Sequence, residues 1–204
     1  MYVDITQLDP QQIYITLTQT VIPRPIAWVL SENANGSLNL APYSFFNAVS
    51  SDPPLVMIST GLNPDGSPKD TRENIKQRRD FLVHIASVDQ LEDLNASSAT
   101  LPAGESEVDH LGLTTVPLAG SRLPRLKDAK VAFVCTLYEI HNIGENTTSM
   151  ILGRVSGVYL DDEVVGHDAK GRRQIHADRI HPLGRLGASE YVDFGRMIKL
   201  KRPA

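Results

Sequence analysis

Two stretches of this chain hold residues whose types and spacing can do chemistry. The first is Lys69-Asp70-Thr71, with Asn74 one turn further on. Asp70-Thr71-Arg72-Glu73 reads as a helix start, with Asp70 as N-cap and Glu73 as its capping-box partner, and the helix is predicted to run to about Arg79. A helix start presents free N–H groups and the positive end of the dipole, so it holds phosphate well. Lys69 adds a cation there and Thr71 a hydroxyl. A capped surface helix with a solvated lysine also fits this stretch. The second is Asn39-Leu40-Ala41-Pro42-Tyr43-Ser44-Phe45-Phe46-Asn47, which leaves a strand, breaks at Pro42, and concentrates aromatics with small polar groups. A planar heteroaromatic ligand needs flat apolar walls and a few hydrogen bonds. A packed strand corner fits the same pattern.

Other chemistries lack their signatures. No Gly-x-Gly-x-x-Gly follows a strand, and there is no Gly-x4-Gly-Lys-Ser/Thr loop and no Gly-x-Ser-x-Gly elbow. His84, His110, His141, His167, His176 and His181 show no spacing that would place two on one helical face, so no metal site is expected. Cys135 lies in the apolar run Val131–Leu137 with no adjoining cation to lower its pKa, and reads as a buried strand thiol. No catalytic acid–base pair stands out.

The elements that must position these residues are mostly strands. Asp9-Pro10 reads as cap and first residue of a short helix over 11–18, and Pro23 and Pro25 force extended backbone after it. Strands are predicted at 26–31, 55–60, 80–86, 130–140 and 147–160. Asn35-Gly36 signals a type I′ hairpin before Leu38, Leu40 and Pro42. A second helix is expected over 88–97, and a long excursion over 98–126 with a helical turn near 108–111. The 130–140 and 147–160 strands are apolar on both faces for part of their length, so their outer faces should be covered, by a helix or by another subunit. Turn residues His141–Asn146 join them, and Gly153 and Gly157 are expected on one face, allowing close backbone approach. The last ~40 residues read as loops with a short strand near 196–200. Strands do not alternate regularly with helices, so the expected fold is mainly β, a Greek-key barrel with a few flanking helices.

The totals bound the answer further. The chain has 204 residues, 41% hydrophobic and 22% charged, which suits one folded domain over 1–204. The net charge of −4 offers no basic excess to a nucleic-acid backbone. One cysteine cannot form an internal disulfide. The start Met1-Tyr2-Val3-Asp4 lacks a basic, apolar leader, and no apolar run approaches a membrane span, so a cytoplasmic location is expected. The sequons at Asn95 and Asn146 then read as chance matches.

Taken in order, these pieces resemble the flavin reductase-like family of FMN-binding split barrels. The resemblance runs from about Ile22 to Pro203. It is carried by Pro23-Arg24-Pro25-Ile26-Ala27-Trp28-Val29, Asn35-Gly36, Asn39–Phe46, Ser51-Asp52-Pro53-Pro54, Lys69-Asp70-Thr71 and Asn74-Ile75. Later come Ile151-Leu152-Gly153-Arg154-Val155, and Pro182-Leu183-Gly184-Arg185-Leu186-Gly187 with Tyr191. The resemblance implies a six-stranded antiparallel split barrel, usually a homodimer with FMN near the interface. Its core would span about 20–160, with 161–204 an extension completing the site or the dimer. It implies that Asn39, Leu40, Ala41, Pro42, Tyr43, Ser44, Phe45 and Phe46 line the isoalloxazine and ribityl parts. Lys69 and Thr71, with Ser59 at the end of its strand, would approach the phosphate, and Asn74 is a further cofactor-binding candidate. Arg24 and Trp28 are further candidates, and Arg185 and Tyr191 would close the site. His84 stands where similar sequences often have Asn, and could alter what sits near the flavin. The implied activity is NAD(P)H-dependent flavin reduction, with hydride passing to the flavin and a partner oxygenase as one acceptor. A flavin-binding carrier without turnover, and a pyridoxamine-phosphate oxidase-like enzyme, are the alternatives.

Overall fold

The computed structural model describes residues 1–145, 147–201 and 203. Its main sheet holds seven strands: β1 (Ala27–Glu32), β2 (Leu38–Tyr43), β3 (Phe46–Ser51), β4 (Pro54–Thr60), β5 (Asp80–His84), β6 (Val131–Ile143) and β7 (Thr148–Leu160). Their order is β2-β1-β5-β6-β7-β4-β3, antiparallel throughout. The two edges, β2 and β3, are consecutive in the chain with only Ser44 and Phe45 between them. The sheet must therefore curl until its edges meet at that corner.

Six strands in a barrel were expected; seven are present, and the sheet is not closed. The strand that sequence patterning misses is β3, whose Asn47, Ser50 and Ser51 carry no apolar alternation because the strand is largely exposed. The seam stays open for a local reason. Pro42 has no N–H to donate, which confines it to an edge strand. Leu40, two residues earlier on the same edge, donates its N–H to the Glu107 carboxylate at 2.8 Å instead of to a strand.

Alternation along β1 sends Ala27 and Val29 into one core and Trp28 and Leu30 into another. The inner core adds Val56, Ile58, Ile75, Phe81, Val83, Cys135, Leu137 and Ile151. The outer one adds Leu40, Leu82, Leu94, Val108, Leu123, Leu126 and Leu183, supplied largely by the excursion after β5. Coverage of both faces is thus most complete on β1 and β5. On β6 and β7, Tyr138, Ile143 and Val158 are exposed in the single chain, so no helix among the described residues covers them.

Five helices flank the sheet among the described residues: α1 (Pro10–Thr20), α2 (Asp70–Arg78), α3 (Leu91–Ala96), α4 (Glu107–His110) and α5 (Ala177–Ile180). Helix α1 starts as expected. Asp9 accepts from the Gln12 amide at 2.8 Å, Gln12 accepts from the Asp9 amide at 3.1 Å, and Pro10 takes the first position. Helix α2 starts one residue earlier than expected: Lys69 is the N-cap, Asp70 lies inside the first turn, and no side chain caps the helix. The predicted helix over 88–97 is a 3-10 turn (Val88–Gln90) followed by α3, with Ser87 and Gln90 forming the cap.

Four other expectations are corrected. At Asn35-Gly36 only Gly36 has positive φ (87°), and Asn33 N–H meets Ser37 C=O at 2.8 Å. This is a longer loop ending in a left-handed glycine rather than a type I′ turn. Gly153 and Gly157 face opposite cores, because a register shift between Val155 and Gly157 flips the strand. A Cβ on Gly153 would lie 2.4 Å from Phe81 Cζ, whereas one on Gly157 would meet only Val134 Cγ2, at 3.8 Å. No strand forms over 196–200. Instead Gly184–Arg185 pairs with both Arg24–Pro25 and Tyr191–Val192, and Val165–His167 pairs with Arg173–Ile175. The turn expected at His141–Asn146 begins later, since β6 runs to Ile143; Asn146 and its sequon lie outside the described residues.

Candidate functional site

The corner between β2 and β3 separates two clefts, and Pro42 and Tyr43 line both. The first cleft has a volume of about 370 Å³ and is walled by Tyr14, Pro42, Tyr43, Ser44, Phe45, Ser59, Gly61 and Thr148. Tyr14 reaches it from α1 and stacks on Phe45, with ring centroids 6.5 Å apart and an angle of 28°. This supplies flat apolar walls with hydroxyls at their rim. The second cleft, of about 90 Å³, is polar. Asn39, Ala41, Asn63, Lys69, Asp70, Thr71 and Glu107 line it, and the loop of residues 97–101 closes one side. A cavity of ~150 Å³ holds one benzene ring, so the polar cleft takes a chain or a small anion rather than a ring system.

The polar cleft opens at the start of α2. Arg72 and Glu73 both return their N–H groups to the Lys69 carbonyl, at 3.0 and 3.3 Å. The amides of Asp70 and Thr71 are left as open donors of the first turn. With the Lys69 ammonium they form a donor set for an anion, opposed by the Asp70 carboxylate. Below them Thr71 is buried, and its hydroxyl accepts from Asn39 Nδ2 at 2.8 Å. Asn39 and Asn74 both reach Ser31 Oγ at 3.2 Å, and Asn74 donates to Asn33 Oδ1 at 2.8 Å. This network fixes α2 on β1 and β2.

Burial pushes the Tyr43 phenol above its ordinary pKa, opposed by hydrogen bonding from Thr71 and reinforced by the charges of Glu107 and Asp70. The residue is half-buried, with its ring lining the clefts and its hydroxyl end enclosed. Burial likewise raises the Glu107 carboxyl; the Leu40 amide and its own backbone amide act against this, and Asp70 with it.

The structure sorts the residues anticipated from the sequence. Ala41, Pro42, Tyr43, Ser44, Phe45, Ser59, Asn39, Lys69 and Thr71 line one cleft or both. Ser59 lies in the aromatic cleft, apart from Lys69 and Thr71. Phe46 packs its ring against the inner core. Leu40 and Trp28 have no exposed surface, and Trp28 Nε1 donates to Ser97 Oγ at 2.8 Å. They are core residues rather than ligand walls. Asn74 is held inside the polar network, away from the cleft.

Arg24 is also buried, and it positions. Its guanidinium donates to the carbonyls of Thr18, Val21 (2.8 Å) and Leu186 (2.7 Å), and its Nε lies 3.5 Å from Ser44 Oγ. It thus ties the end of α1 and the 184–192 segment to the β2–β3 corner. Arg185 stacks 4.3 Å over the Tyr191 ring, and the Tyr191 hydroxyl donates to Asn95 Oδ1 at 3.1 Å, so both brace the C-terminal segment against α3.

His84 lines neither cleft. It is fully buried in the outer core. Its Nε2 accepts from the Leu126 N–H at 3.2 Å, so Nδ1 carries the proton and donates to the Trp28 carbonyl at 3.2 Å. Cys135 is buried, and burial pushes its thiol up to about 12. Sequence reasoning missed Tyr14, Asn63, Glu107 and the 97–101 loop. Each comes from an element distant in sequence. The one local signal was an acid, Glu107, followed by Val108 and preceded by a Ser cap.

A curled antiparallel sheet with an aromatic cleft adjoining an uncapped helix start is the architecture of a flavin-type split barrel. The flavin reductase like domain matches residues 19–176, and the chain belongs to that family. The uncharacterised Bacillus subtilis protein YwrF is 37% identical over 203 residues, covering 97% of each chain. Two solved structures are similar over nearly their whole length. Nitrilotriacetate monooxygenase component B from Bacillus cereus superposes with a TM-score of 0.89 at 31% identity, covering 98% of each chain. The 2-nitrobenzoate 2-nitroreductase NbaA from Pseudomonas fluorescens gives 0.88 at 32%, covering 100% of this chain and 96% of that one. These alignments continue past residue 176, through the segment that Arg24 anchors. Among the described residues, no helix is long and apolar enough to cross a membrane.

Proposed function

We infer that the chain, acting as one unit over 1–204, binds FMN across the β2–β3 corner and works as an NAD(P)H-dependent flavin oxidoreductase. The observation that carries this reading is the junction of the two clefts at Pro42 and Tyr43. FMN is a planar ring joined by a hydroxylated chain to a phosphate, and the clefts present aromatic walls, a narrow polar passage and a cationic helix start in that order. When bound, FMN would supply the chemistry by accepting hydride from the nicotinamide.

The chain's own residues bind and orient. Tyr14 and Phe45 form walls for the ring system, and Ser44 and Ser59 offer hydroxyls at its rim. Lys69 and the α2 amides meet the phosphate and offset the Asp70 carboxylate. No residue has to hold or move a proton for hydride transfer, so the reading requires no acid–base pair. A homodimer belongs to this reading. Tyr14, Ile15 and Leu17 of α1, with Val21 just after it, are exposed apolar residues, a face that a second copy would cover. The similarity to a monooxygenase component supports a partner oxygenase as electron acceptor, in the cytoplasm. The similarity to a nitroreductase supports a second reading, direct reduction of an organic acceptor at the same cleft.

The test is direct. Purified protein with added FMN should speed NADH or NADPH oxidation and perturb the visible flavin spectrum. No spectral change and no acceleration with either nucleotide refutes the reading. Oxidation that proceeds only when a nitroaromatic is added favours the second.

A further inference from the structure

Glu107 is more than nine-tenths buried, at 7% exposure, yet it lines the polar cleft. One carboxylate oxygen, Oε2, accepts the Leu40 N–H at 2.8 Å. Among the described residues Leu40 is the only other residue that donates to this side chain, its own backbone amide also acts on it, and no salt bridge pairs with it. The other oxygen, Oε1, has no partner from another residue among those described and is not enclosed, so it can take a donor from the cleft. The cleft it lines is too small for a ring system, and it leads from the aromatic walls to Lys69.

The charge pattern decides what that donor is. Asp70 and Glu107 line the same cleft, and both repel a phosphate. Lys69 and the open amides at the start of α2 are the groups suited to the anion. The Glu107 oxygen therefore suits a neutral donor placed between ring and phosphate. We propose that Glu107 is a specificity-determining residue that accepts a hydrogen bond from a hydroxyl of the ligand's ribityl chain, so that the cleft selects hydroxylated flavins over bare isoalloxazines. This rests on the flavin-binding reading above.

Riboflavin and lumiflavin separate the possibilities, because lumiflavin has the same ring system with a methyl group in place of the ribityl chain. Affinities are read by fluorescence titration of the full-length protein, wild type and Glu107→Gln. Gln keeps an oxygen for the Leu40 amide and replaces the other acceptor with a donor. The variant should bind riboflavin and FMN about tenfold more weakly, the worth of one hydrogen bond to a charged group. Lumiflavin affinity should not change. Equal weakening of all three ligands, or no change in any, overturns the proposal. Tighter FMN with unchanged riboflavin also overturns it, because that places Glu107 against the phosphate. If Glu107→Gln fails to fold, Glu107→Asp, which retracts the same charge by one methylene, must show the same selectivity. Wild-type protein that binds none of the three ligands refutes the flavin reading itself.

Discussion

Acidification should unfasten the outer core through one residue, His84. Its ring is fully buried between the Trp28 carbonyl and the Leu126 amide. Burial lowers its pKa from 6.5 to about 4; the Trp28 carbonyl acts against this, and Arg125 with it. In the unfolded chain the same imidazole titrates near ~6.5. Between these values the unfolded state binds the extra proton, so stability is full above pH ~6.5 and falls as pH drops toward 4. From pH 7 to pH 5 the unfolded imidazole goes from mostly neutral to mostly charged while the folded one stays neutral. At ~1.4 kcal/mol per pH unit over the ~1.5 units below 6.5, the loss is about 2 kcal/mol. The assay is urea unfolding of wild type and His84→Asn at both pH values. His84→Asn is less stable at pH 7, because one of the two bonds is lost or lengthened, by about 1–3 kcal/mol. The decisive quantity is the difference between the two pH-induced losses, since every other titrating group is common to both proteins. Wild type should lose about 2 kcal/mol more than the variant. Equal losses refute the reasoning, because His84 would then titrate alike folded and unfolded.

Lys69→Ala should weaken FMN about tenfold more than riboflavin in equilibrium titrations, because only FMN carries the phosphate; equal loss removes Lys69 from that role. Gly153→Ala should cost about 1–3 kcal/mol in thermal or urea unfolding, since its Cβ would lie 2.4 Å from Phe81 Cζ. Gly157→Ala, with Val134 Cγ2 at 3.8 Å, should be near neutral, and comparable losses at both sites contradict the strand flip. Arg24→Ala should speed amide hydrogen exchange in residues 182–192 and in the last turn of α1 without doing so in β6, because the side chain bonds Leu186, Thr18 and Val21.

Local rules read the elements well where one residue type decides the backbone. Asp9-Pro10 predicts the start of α1, and the apolar runs at 26–31, 55–60 and 130–140 mark β1, β4 and most of β6. The reading weakens where the deciding partner is distant. Asp70 has cap chemistry, but Lys69 takes the cap position, because Asn39 and Ser31 hold Thr71 and Asn74 from the sheet side and fix where the helix begins. β3 shows no alternation because it is an edge with one paired side and little burial. Trp28 and Arg24 illustrate the same limit at the site. Both stand in the motif next to the cleft residues, yet one is spent on Ser97 and the other on backbone carbonyls of two segments, the end of α1 and the 184–192 stretch.

The two clefts show why motif order was more informative than any single motif. Residues 39–47 and 69–71 each admitted a purely structural reading, and each has a structural share: Leu40 and Phe46 are packed, and Thr71 is bonded to Asn39. What makes them a site is the open seam. Because Pro42 cannot donate and Glu107 takes the Leu40 amide, β2 is left unpaired on its outer side, and the corner holds a cleft on either flank. A closed sheet would pair that edge and occlude both. The feature is written in one proline and one distant acid, 65 residues apart by the numbering of Pro42 and Glu107. No local window spans that distance, and only the fold brings the acid to the strand.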